Sequence, residues 1–162
     1  MKAVVNATPL IALARINQLD LLNQLFDVVL VPPAVYDEVT AQGATRPGAT
    51  LVVQSSWIQV QAPGTSPTVE PLLLGLDAGE MQVLLLASEV QPAWVVIDER
   101  LGRRVALAMH LPLTGTIGVL LAAFQATLLT KQQALDAAQH IVALGIHISP
   151  ALLTWFENEL DQ

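Results

Sequence analysis

WVVIDERLGRRVALAM, residues 94–109, is the stretch whose reading decides the fold. Four apolar residues, Trp94, Val95, Val96 and Ile97, stop at the acids Asp98 and Glu99, and a segment carrying Arg100, Arg103 and Arg104 follows. A short unbroken apolar run rich in β-branched residues marks a strand buried on both faces. In open α/β sheets, ligands gather at the carboxyl ends of the strands. Acids placed directly after such a strand therefore stand where chemistry is usually done.

Outward from this strand, the chain alternates strand-like and helix-like segments. Lys2–Val5 reads as a first strand halted by Asn6, with Thr8 as cap and Pro9 opening a helix to about residue 16. Residues 19–25 read as a second helix, Val28–Val31 as a second strand ending at Pro32-Pro33, and residues 33–39 as a third helix carrying Asp37 and Glu38. A Gly-, Pro- and Thr-rich loop with Arg46 covers residues 41–50, a weak edge strand residues 57–61, and a second loop residues 63–71. Residues 76–90 form the most sharply marked helix: Asp77 and Glu80 have the D-x-x-E spacing of a capping box. Behind the strand at 94–97, helices are expected at 102–109, 117–126, 131–144 and 150–159, with a short strand near 111–113. Strands alternating with helices predict a parallel sheet covered on both faces.

Composition narrows the classes. The chain of 162 residues suits a single domain over 1–162, and with 53% hydrophobic and 13% charged residues it has enough apolar material for a packed core. No cysteine is present, which removes disulfides, thiolate chemistry and zinc–sulfur sites, and is compatible with the expected cytoplasmic location. A net charge of −7 argues against broad charge-driven nucleic-acid binding, although three of the seven cations are clustered at Arg100, Arg103 and Arg104.

Residues 105–130 are uncharged, but Pro112, Gly115, Gly118 and Gln125 interrupt them, and a bilayer span needs about 20 predominantly apolar residues. No membrane association is expected. The opening MKAVVNATPLIALA has the order of a signal peptide, yet Asn6, Thr8 and Pro9 fit a strand, turn and helix better. Dinucleotide, P-loop and nucleophile-elbow motifs are absent.

Four polar residues fall at strand ends or helix starts: Asn6, Glu38, Glu80 and Asp98. Converging oxygen ligands of this type suit Mg²⁺ or Mn²⁺. Each also has a plain structural explanation. Glu80 can complete a capping box, Asp98 and Glu99 can favour a helix N-terminus, Glu38 can be a solvated helix residue, and Asn6 can bond its own turn. The arginines can be a solvated face or can hold phosphate; Thr114 and Thr116 can cap the next helix or offer hydroxyls to a ligand. His110, His140 and His147 share no metal-ligand spacing and read as surface or satisfied core residues, while Trp57, Trp94 and Trp155 read as core.

The order VVNATPLIALARINQLDLL, VLVPPAVYDEV, LDAGEMQVLLLA, VVIDERLGRRVA and TGTIGVLLAA resembles the PIN-domain superfamily, in particular its compact prokaryotic branch related to VapC-type toxins. The likeness runs from about Lys2 to Ala126, with a weaker echo in ISPALLTWFENEL. It implies a three-layer α/β/α fold around a mostly parallel sheet, and a Mg²⁺- or Mn²⁺-dependent ribonuclease site. Carried over by position, the first-strand acid falls on Asn6, the helix glutamate on Glu38, the acid opening the central helix on Glu80, and the acid after the next strand on Asp98. Glu99 is an auxiliary ligand in this scheme, Thr8 and Thr116 are the accompanying hydroxyls, and Arg46, Arg100 and Arg103 face RNA phosphates.

The departure is Asn6, where catalytic members of the superfamily typically carry Asp, although Asn does occur at this position in the branch that the chain resembles most. An amide oxygen can coordinate an ion but brings no charge, so a catalytically weakened or silent binding module is the rival expectation. The resemblance further implies a small antitoxin as partner, and a homodimer.

Overall fold

The computed structural model describes residues 1–40, 47–64 and 75–162. In chain order these form β1 (Lys2–Val5), α1 (Ala7–Arg15), α2 (Asp20–Leu25), β2 (Val28–Val31), α3 (Pro33–Thr40), α4 (Ala49–Gln54) and β3 (Ile58–Val60). They continue with α5 (Ala78–Val90), β4 (Trp94–Val96), α6 (Arg100–Ala108), β5 (Leu113–Thr114), α7 (Thr116–Gln125), α8 (Lys131–Ala143) and α9 (Pro150–Leu160).

The strands make one sheet in the order β3-β2-β1-β4-β5, with every neighbouring pair parallel. Helices cover it in the three-layer α/β/α arrangement of a PIN-like fold. The reason lies in the strands: Ala3, Val4 and Val5, Val29 to Val31, and Val95 and Val96 are all buried, so neither sheet face can be left to water. On the helices, α3 packs against α5, α1 meets α3 and α4, and α7 lies against α2, α8 and α9. Leu10, Leu13, Leu84, Leu86, Leu120 and Phe156 are fully buried between these layers. Among the described residues, no helix is long and apolar enough to cross a membrane.

Strand order sets the position of the site. From β1 the chain builds outward through β2 and β3, then returns to the other side of β1 for β4 and β5. The reversal puts the carboxyl ends of β1 and β4 side by side, with the Asn6 backbone N–H donating to the Val96 carbonyl at 2.9 Å. Crevices at such reversals are where open α/β sheets bind ligands.

Several expectations need correction. Thr8 is not a cap: α1 already starts at Ala7, Asn6 occupies the cap position without a side-chain cap bond, and Pro9 is accommodated in the first turn. Residues 49–54, within and beyond the expected loop, form α4, with Ala49 and Val52 buried. The fifth strand lies at Leu113–Thr114 rather than around 111–113. Trp94 and Trp155 are 41% and 44% exposed rather than core, while Trp57 is half-buried against the core. Both exposed indoles line one groove of about 330 Å³ with Phe26, Leu113 and Val119.

The neighbours Trp155 and Phe156 on α9 give a direct test of this packing. Phe156→Ala leaves a cavity beneath α9 and is expected to lower unfolding free energy by about 3–5 kcal/mol in a urea titration. Trp155→Ala, at the surface, should cost well under half as much.

Candidate active site

The Asp98 carboxylate hangs from the end of β4 and reaches the first turn of α7. Its Oδ1 accepts the Thr116 N–H at 2.9 Å and its Oδ2 accepts the Thr116 hydroxyl at 2.6 Å. A helix N-terminus offers unsatisfied N–H groups and a positive dipole end, so a carboxylate settles there readily. Close approach requires Gly115: a Cβ on that residue would lie 2.5 Å from Asp98 Oδ1. Burial pushes the Asp98 carboxyl above its ordinary value, the Thr116 bonds oppose this, and the Glu99 charge adds to it. Thr116 itself is buried and is the first residue of α7, not its cap.

Glu99 precedes α6 at the cap position but makes no cap bond. Its carboxylate is held from the other side of the switch point. Oε2 accepts the Asn6 amide Nδ2 at 2.9 Å, and Oε1 accepts the Thr8 hydroxyl. Asn6 is only 3% exposed, so this amide is fixed by its surroundings.

Glu80 comes from the first turn of α5. Asp77 caps that helix by accepting the Glu80 N–H at 2.7 Å, as the spacing predicts. The Glu80 carboxyl carbon lies 3.9 Å from where a Cβ on Gly102 would stand, so the side chain extends toward the start of α6. Burial first, then the charges of Asp77, Glu99 and Glu38, raise its pKa. Glu38, exposed on α3, brings its Oε2 to 3.4 Å from the Cβ position of Gly79. Acids from α3, α5 and the β4–α6 junction thus feel one another at this end of the sheet.

Of the arginines, Arg103 is half-buried and donates from Nη1 to the Ile97 carbonyl at 2.9 Å, tying α6 to the end of β4. Arg100 and Arg104 are exposed, and Arg46 lies outside the described residues. A cleft of about 590 Å³ runs beside Asp98 and is lined by Thr8, Arg100, Arg103, Thr116, His147 and Ser149, among others. His147 reads from sequence as a surface or core residue, and Ser149 carries no signal at all. No motif marks either, and only the docking of α8 and α9 brings them here.

The donors are all oxygen, and neighbouring acids add to the raised pKa of Glu80 and of Asp98; both properties suit a hard divalent cation. Among the described residues, no three acids converge on one point as their side chains lie. Magnesium commonly keeps several waters and takes only one or two carboxylates directly, so an ion bound here would be held partly through water.

A family model described as a PIN domain matches residues 2–161, and the chain belongs to that family. PIN domains are in general nucleases, and PIN nucleases generally use divalent metals. Comparison with curated proteins and with solved structures finds no match.

The crowding of acids makes a prediction about stability. Because the folded-state pKa of Glu80 is raised, ionisation costs the fold stability as pH climbs from the ordinary glutamate value through the raised one. In metal-free buffer Glu80→Gln should therefore melt at a higher temperature than the wild type at pH 7. That advantage should shrink toward about pH 4, where both chains are largely neutral at this position.

Proposed function

We propose that this protein is a Mg²⁺- or Mn²⁺-dependent endoribonuclease, and that it acts as the toxin of a toxin–antitoxin pair. The observation that carries the reading is the gathering of Glu38, Glu80, Asp98 and Glu99 at the β1/β4 switch point of a PIN fold. Glu80 and Asp98 would hold the cation, with Glu38 and the Asn6 amide oxygen completing its surroundings. The cation, when bound, supplies Lewis acidity that activates water and offsets the charge developing on a phosphodiester.

The chain's own groups do the rest. Thr116 fixes both oxygens of Asp98, so the carboxylate faces the cleft in one orientation. Arg100 and His147, exposed along the same cleft, would hold the RNA backbone, while Arg103 is partly occupied by the Ile97 carbonyl. With so few cations in an acidic chain, binding rests on these local contacts and the ion rather than on a broad basic surface. The acids at this end of the sheet would also accept a basic segment of an antitoxin, in the manner of complementary charged surfaces. A homodimer belongs to the same proposal, and the groove holding Trp94 and Trp155 offers apolar surface for it.

A specific observation favours a second reading. Both oxygens of Asp98 and both of Glu99 already accept protein hydrogen bonds, and Asn6 brings no charge, which would suit a module that binds RNA without cutting it.

Purified protein freed of any antitoxin, incubated with RNA and Mn²⁺ or Mg²⁺, separates the two. The nuclease reading predicts cleavage that EDTA abolishes and that Asp98→Asn lowers by at least ~100-fold, the usual scale for losing a preorganised charge contact. Thr116→Val should cost about 10-fold or more through misorientation of Asp98. RNA retained on the protein but left intact would establish the silent module instead.

A further inference from the structure

We propose that Glu99 supplies the cation-facing charge that Asn6 lacks, and that Asn6 and Thr8 are positioning residues which hold that carboxylate at the carboxyl end of β1. The inference rests on the reading of the acids at the β1/β4 switch point as a divalent-metal site. It changes the meaning of Asn6 from a lost ligand to one half of a charge moved across two neighbouring strands.

The geometry is specific. β1 and β4 are paired in register, Val5 opposite Val96, so Asn6 and the residues after Ile97 leave the sheet side by side. The Asn6 Nδ2 donates to Glu99 Oε2 at 2.9 Å, and Thr8, in the first turn of α1, donates its hydroxyl to Oε1. Both donors come from the segment directly after β1, where the acid of this fold is expected. Asn6 is buried, and its oxygen makes no hydrogen bond among the described residues. No fully buried side-chain polar atom among those residues is left without a partner, so what surface Asn6 retains is at that oxygen.

An aspartate at position 6 would not simply restore a missing charge. It would set a second acceptor 2.9 Å from Glu99 and remove the hydrogen bond that holds that carboxylate. The amide avoids this: it donates to Glu99 through nitrogen and keeps an acceptor through oxygen. A carboxylate oxygen has two lone-pair sites, so the two accepted bonds leave Glu99 with sites for a cation. Glu99 follows Asp98 directly in the chain, so the β4–α6 junction carries both carboxylates.

The test is a double-mutant cycle read by Mn²⁺ binding to metal-free protein, using calorimetry or the free-ion electron paramagnetic resonance signal. The four chains are wild type, Asn6→Asp, Glu99→Gln, and Asn6→Asp with Glu99→Gln; thermal melts check that each is folded. Glu99→Gln should weaken Mn²⁺ binding by about 10- to 100-fold. Asn6→Asp alone should gain no more than about 2-fold, because the added charge comes with the loss of the donor that positions Glu99. The double variant should return to within about 3-fold of wild type, since the amide introduced on α6's side would donate to the carboxylate introduced after β1, keeping the hydrogen bond with its direction reversed.

Unchanged affinity in Glu99→Gln overturns the proposal, as does a gain of about tenfold in Asn6→Asp alone or a wild-type chain that binds no Mn²⁺. RNA cleavage, measured separately, tells its failure from that of the nuclease reading. Cleavage with Glu99-independent Mn²⁺ binding sinks only the charge assignment. Glu99-dependent binding without cleavage sinks only the nuclease.

Discussion

The parallel pairing of β1 with β4 is the contact on which everything at the candidate site depends. Ala3, Val4 and Val5 run beside Trp94, Val95 and Val96, and the ladder ends with the Asn6 backbone N–H on the Val96 carbonyl. Because the strands are parallel, their polar ends leave the sheet at the same edge. Because the chain reverses its direction of growth at this pair, the helices following β1 and β4 diverge and leave a crevice between them. A one-residue slip of β4 would break the bond from the Asn6 N–H to the Val96 carbonyl and move Glu99 out of reach of Asn6 and Thr8. The register of β1 against β4 therefore fixes the geometry of the acids as a by-product of folding.

That geometry has an electrostatic cost, borne where it is useful. Glu80 and Asp98 both have raised pKa values, each for the same first reason, burial, with neighbouring acids adding to it. Like charges gathered in a partly desolvated crevice destabilise the metal-free fold and would be relieved by a cation; such perturbed groups are common at functional sites. Protein donors limit the cost: Thr116 at the start of α7 satisfies Asp98, while Asn6 and Thr8 satisfy Glu99. Gly115 and Gly102 keep side-chain bulk away from the same two places, next to Asp98 and to Ile97 and Glu80.

The fold and the rough position of the site were legible because both rest on local signals. Runs such as VVLV and WVVI can only be buried strands when short and flanked by turn residues, and Asp77 announces the start of α5 through its own cap bond. Glu80 and Asp98 followed from those boundaries. What sequence did not disclose depends on contacts between distant segments. Thr8 looked like a helix cap, yet its hydroxyl is used on a residue 91 positions away. Glu99 looked secondary to Asp98, because nothing local says that Asn6 will donate to it. Short α4 forms in a Gly- and Pro-rich context because Ala49 and Val52 are buried where α4 meets α1 and α3, a tertiary override of weak propensity. Trp94 and Trp155 were misjudged because indoles are usually buried, and only the edge position of β5 and the docking of α9 leave them facing a groove.

The central claim, that the acids at the β1/β4 switch point form one cation site, is tested most directly by where Mn²⁺ sits in the folded chain. Substoichiometric Mn²⁺ added to isotopically labelled protein broadens the amide resonances nearest the ion. The account predicts early loss of the Asn6, Glu80, Glu99 and Thr116 signals while those at the Lys131 end of α8, past the far end of α7, persist. Broadening that is uniform, or centred elsewhere on the acidic surface, would contradict it.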